Sequence, residues 1–137
     1  MRIVLLTLLA TAPLVASCDA FGPEDVQVVL RTGATAYPVP AAVSVAVINQ
    51  SPGTIHHGVC FVRERRHGAD WVADPPDEGV SCSLPRAITR PGQQRELSAY
   101  VPQPGEYRLL LWVSTADEER VDTPFISNAF TVAAPTK

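Results

Sequence analysis

The 137-residue chain carries 11 basic and 14 acidic side chains, a net charge of −3, together with 13 prolines and 8 glycines. Lys137 is its single lysine, and Arg63-Glu64-Arg65-Arg66 is the one local basic cluster, read as the solvated end of a strand; no nucleic-acid partner is expected from such a chain. The length suits one domain with its own core and leaves no room for a second.

The chain opens with one positive charge at Arg2, an apolar stretch from Ile3 to about Val15, and the small residues Ala16 and Ser17 before Cys18. This is the anatomy of a signal peptide. The apolar run falls short of the ~20 residues needed to cross a hydrocarbon core, and Pro13 interrupts its end, so removal is expected over retention. The segment Val15-Ala16-Ser17-Cys18 resembles the lipobox of bacterial lipoproteins. That resemblance implies cleavage before Cys18 and acylation of its thiol and new amino group, which gives effectively permanent membrane attachment. An ordinary secretory signal cut near Ala16 or Ala20 is the alternative. The expected organisation is a signal peptide over 1–17, a tether over 18–24 and a domain over 25–133. Localisation follows as a bacterial cell envelope, periplasmic or surface facing. Asp19 retains lipoproteins at the inner membrane in some bacteria, and the choice of membrane stays open.

With Cys18 carrying lipid, Cys60 and Cys82 remain as an even pair in a compartment that permits oxidation, and a disulfide is expected, two buried thiols being the alternative. Prolines and glycines punctuate short β-branched runs, the pattern of an all-β sandwich or barrel. Seven strands are predicted: 25–31, 41–49, 58–65, about 71–73, 94–101, 106–113 and 125–132. In the second, Val43, Val45 and Val47 alternate with Ser44, Ala46 and Ile48, so one face is core. The third turns through Arg66-His67-Gly68-Ala69-Asp70 into the fourth as a hairpin. Asn49 reads as a turn residue whose side chain satisfies nearby backbone groups, because Pro52 and the lipid anchor argue against use of Asn49-Gln50-Ser51 as a glycosylation acceptor.

Ahead of the sixth strand, Pro102-Gln103-Pro104-Gly105-Glu106-Tyr107 resembles a tyrosine corner. An inward Tyr107 carries Leu109, Leu111 and Val113 inward and turns Arg108, Leu110 and Trp112 outward. The outward apolar pair calls for a cover, either the tether over Ala20–Glu24 or a neighbouring loop, or else marks a partner-binding face. From about Ala42 to Val132, the strand ending in Asn49-Gln50-Ser51, Trp71 after its hairpin, Pro91-Gly92, Pro104-Gly105-Glu106-Tyr107-Arg108 and Phe130-Thr131-Val132 resemble bacterial immunoglobulin-like domains, including those similar to the intracellular proteinase inhibitor. The resemblance implies an immunoglobulin-like antiparallel β-sandwich of about seven strands. Such domains serve as spacers, adhesion modules and inhibitors, so the fold does not name a function. The Cys60 and Cys82 pair, with Asp74-Pro75-Pro76-Asp77-Glu78-Gly79 between them, departs from an intracellular inhibitor.

Chemistry-bearing constellations are weak. His56, His57, Cys60 and His67 offer zinc-type ligands in neighbouring loops, with Cys60 already given a partner. Asp74, Asp77 and Glu78, and Asp117, Glu118, Glu119 and Asp122, lack the ligand spacing of an EF-hand. No Gly-x-Ser-x-Gly elbow and no Ser-x-x-Lys occurs beyond the leader. The reading is therefore a non-enzymatic lipoprotein without a cofactor. It is anchored to a membrane through Cys18 and presents an interaction or structural surface to an envelope protein partner through Arg108, Leu110 and Trp112. The alternatives are a protease inhibitor presenting the stapled loop Asp74 to Ser83, or a small-ligand or metal binder.

Overall fold

The computed structural model describes residues 21–75, 82 and 86–135. The expected signal peptide and Cys18 lie outside them, as do Asp77, Glu78 and most of the loop from Asp74 to Ser83.

Among the described residues the chain forms twelve strands and one 3-10 turn, Pro23–Asp25. The strands are β1 Val28–Thr32, β2 Ala36–Pro38, β3 Ala41–Asn49, β4 Ile55–His57, β5 Val62–His67, β6 Asp70–Asp74, β7 Ala87–Thr89, β8 Gln94–Val101, β9 Gly105–Leu111, β10 Val113–Thr115, β11 Phe125–Ile126 and β12 Phe130–Ala133. They assemble as β1-β3-β8, as β2-β12-β9-β5-β6 with β11 also on β9, and as a small β10-β4-β7 sheet.

Alternation explains why β3 sits at the centre of its sheet. Val43, Val45 and Val47 are fully buried, and the register places Val43 opposite Ala99 and Val45 opposite Leu97 of β8. Each such side chain removed from water contributes about 1.5–3 kcal/mol before chain entropy is counted. Facing them from the second sheet are Tyr107, Leu109 and Leu111 of β9 and Phe130 and Val132 of β12, all in one cluster. The Tyr107 and Phe130 rings stack at 6.0 Å, and Tyr37 meets Phe130 edge-on at 5.7 Å. Ile55 and Val113 join the same cluster from the small sheet. The pairing of β2 with β12 is parallel, against antiparallel pairing elsewhere, because the chain leaves the first sheet after β1 and enters the second at its edge.

The expected corner forms: Tyr107 Oη donates to the Gln103 carbonyl at 3.0 Å. Gly105 is required by close approach, since a Cβ there would lie 2.7 Å from Arg65 Nε and 3.1 Å from Tyr107 Cε2. The expected hairpin forms as well, β5 and β6 closing through Gly68 at φ +62° and Ala69.

Four differences from the sequence reading have local causes. The third strand, expected over 58–65, starts only at Val62 as β5, which pairs with β6 and β9, and the separate short strand β4 ahead of it pairs with β7 and β10. The expected run 106–113 divides at Trp112, where the chain passes from one sheet to another. The run 125–132 divides at Ser127, whose amide donates to the Leu109 carbonyl and whose Oγ accepts from the Leu109 amide, so that one residue satisfies both backbone groups opposite the break. The cluster at Arg63–Arg66 is not simply a solvated strand end, because alternation sends Arg63 and Arg65 to the core side. There their guanidinium carbons lie 6.0 and 5.9 Å from the Tyr107 ring centre, and Arg63 is ion-paired with Asp74.

Candidate functional site

Two surfaces draw on residues that the sequence singled out. The first is the outer face of the six-stranded sheet that contains β9. Tyr107, Leu109, Leu111 and Val113 are buried as expected, so Arg108 and Leu110 turn outward. Register then sets Leu110 between Val62 of β5 and Ile126 of β11, three apolar side chains abreast. Val62 and Ile126 are 44% and 48% exposed, while Leu110 between them is half-buried. The described part of the tether does not cover this row. Phe21 instead packs against Gly53, beside the core at the turn after β3.

Next to the apolar row the same face becomes charged and aromatic. Arg108 lies opposite Glu64 and hydrogen-bonds to it through Nε. Its guanidinium carbon also sits 4.7 Å from the centre of the Trp71 ring, with Arg66 at 5.8 Å from the same ring. Arg66 in turn reaches Glu106 at 3.1 Å. Exposed ion pairs contribute little individually, about 0.2–1 kcal/mol, but a row of them on paired strands holds Trp71 and the arginines in place.

The second surface surrounds Trp112. Because the chain changes sheets there, Trp112 is parted from Arg108 and Leu110 and lines a cavity of ≈ 220 Å³ with His56, Gly58, Arg86, Ser114, Glu118 and Arg120. A tight return holds the two ends of its wall together: the Glu118 amide donates to the Thr115 carbonyl at 3.0 Å, the Thr115 amide to the Glu119 carbonyl at 2.9 Å, and the Val121 amide to the Val113 carbonyl at 3.1 Å. Glu118 accepts a left-handed backbone at φ +66° in this return and pairs with Arg86. The Arg120 guanidinium carbon lies 4.1 Å from the Trp112 ring centre.

His57 also lines that cavity, but as a structural group. Its Nδ1–H donates to the Gly58 carbonyl at 2.7 Å, which leaves Nε2 to accept from the Thr89 hydroxyl at 3.0 Å. Burial holds its pKa below the usual histidine value, opposed by the Gly58 hydrogen bond, with Arg95 and His56 lowering it further. The histidines therefore do not act together: His57 is buried, His56 faces the cavity, and His67 is exposed at the hairpin end. Among the described residues no three metal-ligating side chains converge. Cys60 is bonded to Cys82, with Cα atoms 6.1 Å apart and both residues exposed. Asp74 is held by Arg63; Asp117, Glu119 and Asp122 are exposed.

Sequence reasoning missed Val62 and Ile126 as neighbours of Leu110, and Arg86 and Arg120 as neighbours of Trp112. The first pair carried a readable signal, since both are outward apolar residues on predicted strands. The second carried none, because Arg86 and Arg120 are brought together only by the pairing of β7 and β10 with β4.

No protein-family model and no curated protein matches the chain. Among solved structures, a Bordetella pertussis protein assigned as ApaA is similar at 17% identity, covering 82% of this chain and 94% of that one, with a TM-score of 0.43. The PapD-like domain 7 of human CEP192, an ASH/PapD-like domain, is similar at 10% identity over 99% of each chain, with a TM-score of 0.40. At such values neither carries an argument about this chain, whose class rests on its own strands. Two sheets packed over one core, a parallel edge strand and a tyrosine corner define an all-β protein with an immunoglobulin-like antiparallel sandwich.

Proposed function

We propose that this chain is an extracytoplasmic lipoprotein, held to a bacterial envelope membrane by acyl chains on Cys18, whose sandwich is a non-catalytic protein-interaction or structural accessory module. The observation that carries the interaction reading is the outer sheet face, where Val62, Leu110 and Ile126 stand abreast beside the Arg108, Trp71 and Arg66 row. Exposed apolar side chains bordered by tryptophan and arginine match the make-up of protein interfaces, in which such residues carry most of the binding energy. A paired sheet presents them with little entropy left to lose on binding.

The test is affinity capture from solubilised envelopes with the lipidated protein as bait, run beside a bait carrying Leu110→Ser and Ile126→Ser whose urea unfolding midpoint shows it folded. A specific partner recovered by the native bait and lost from the variant is the expected result. Identical recoveries from both baits would remove this face from consideration. For the anchor, Cys18→Ser is expected to move the protein from the membrane to the soluble fraction, and a variant that still sediments with membranes would refute lipidation at Cys18.

A further inference from the structure

The Trp112 cavity lies apart from the row at Leu110, and its chemistry differs. Two guanidinium groups and the imidazoles of His56 and His57, the second already hydrogen-bonded through both ring nitrogens, line it with a single carboxylate. Arg86 already has that carboxylate, Glu118. Arg120 has no carboxylate partner among the described residues, and its guanidinium carbon lies 4.1 Å from the centre of the Trp112 ring. Stacking engages the flat face of a guanidinium and leaves its in-plane N–H fork open, the geometry that receives a carboxylate with two parallel hydrogen bonds. Both arginines are thus held before any ligand arrives, Arg86 by Glu118 and Arg120 by indole, which lowers the ordering entropy a ligand must overcome.

The backbone supports the same reading. Glu118 occupies a left-handed conformation that a glycine would adopt at lower energy, and in doing so it closes the return that sets Arg120 beside Ser114, to which it is bridged. The cavity, at ≈ 220 Å³, is smaller than the roughly 300–1,000 Å³ typical of sites for drug-sized ligands and suits a single amino-acid residue.

We propose that the Trp112 cavity binds one carboxylate-bearing residue of a peptide, the carboxylate received by the N–H fork of Arg120 and the rest of the residue seated against Trp112 and Ser114. The carboxylate is either a chain terminus or an acidic side chain, and the recognition chemistry is the same for both.

Only two tryptophans, Trp71 and Trp112, contribute indole N–H signals, and Trp71→Phe assigns them. Three pools of N-acetylated tetrapeptides serve as probes: neutral side chains with a free C-terminus, one Asp or Glu with an amidated C-terminus, and neutral side chains with an amidated C-terminus. Either or both of the first two pools is expected to shift the Trp112 signal saturably, the responding pool identifying the carboxylate source, while the neutral amidated pool leaves it in place. Arg120→Gln, which retains Trp112 as reporter, is expected to weaken binding at least tenfold, and Arg120→Lys to restore part of it. The proposal is overturned by an equal response to the neutral pool, by an Arg120→Gln protein that is folded and binds as well as the native one, by inorganic phosphate matching the peptides, or by no saturable shift from any pool up to about 10 mM, where binding would be worth under ~3 kcal/mol.

Discussion

The side-chain amide of Asn49 donates to the backbone carbonyl of Thr89 at 2.9 Å, joining the end of β3 to β7 across forty residues of chain. The same nitrogen donates to the Gly53 carbonyl at 2.9 Å, and its Oδ1 accepts from the Ser51 amide at 2.9 Å. Asn49 is fully buried, so each of these backbone groups depends on it. Asn49→Ala strands them, and the expected loss is about 2–4 kcal/mol, read as a lower urea midpoint with an unchanged m-value. Asn49→Asp is expected to be no better, because a carboxylate placed against two carbonyl oxygens replaces donation by repulsion. An unfolding midpoint within error of the native protein for either variant would contradict this role.

Thr89 also meets His57 through its hydroxyl. Burial lowers the His57 pKa below its ordinary value of 6.5, so the unfolded chain binds a proton that the folded one resists. Stability associated with His57 is therefore complete above pH 6.5 and is lost as pH falls below it, until the lower folded-state value is passed. Unfolding free energies measured between pH 7.5 and pH 5 are expected to fall more steeply for the native protein than for His57→Gln. Parallel curves would show that His57 does not set the acid response.

The Tyr107 hydroxyl spans the corner to Gln103 while its ring is completely buried against Phe130. Tyr107→Phe keeps the ring and removes one hydrogen bond, with an expected loss of about 1 kcal/mol and a melting temperature lower by roughly 4–8 °C. Tyr107→Ala removes the ring as well and is expected to lose about 3–5 kcal/mol. Calorimetry on the pair separates the two contributions, and equal losses would mean that the corner bond carries the whole effect.

Cys60 and Cys82 close a loop with a sequence separation of 22 and lie exposed. The chain-entropy model assigns such a loop about 3 kcal/mol, all through the unfolded state. The Cys60→Ser, Cys82→Ser protein is expected to unfold at lower urea by that amount, and the native protein to match it once a reductant is added. A native protein insensitive to reductant and equal in stability to the double variant would show that the bridge contributes nothing.

Much of the sandwich was legible because period-2 alternation is a local signal. Val43, Val45 and Val47 announced the face that β3 buries, and Tyr107, Leu109, Leu111 and Val113 announced that of β9 and β10. Asn49 read correctly as a side chain that satisfies backbone groups, though not as a fully buried one joining two strands. Three-residue strands such as β4, β7 and β10 were invisible, since so short a run carries almost no periodicity. Arg63 and Arg65 were misread for a related reason: charge says solvent, and only their position on the pleat sends them beside Tyr107.

The amino-acid sequence by itself determined the fold class, the cysteine pair and the inward and outward sides of the longest strands, because those follow from composition and spacing along the chain. The tertiary structure decided which side chains are neighbours across strands. It placed Leu110 between Val62 and Ile126, and it separated Trp112 from them to join Arg86 and Arg120. The physical reason is that sheet register and the passage of a chain from one sheet to another are set by pairing between distant segments, and a sequence read residue by residue carries no record of which distant segments will pair.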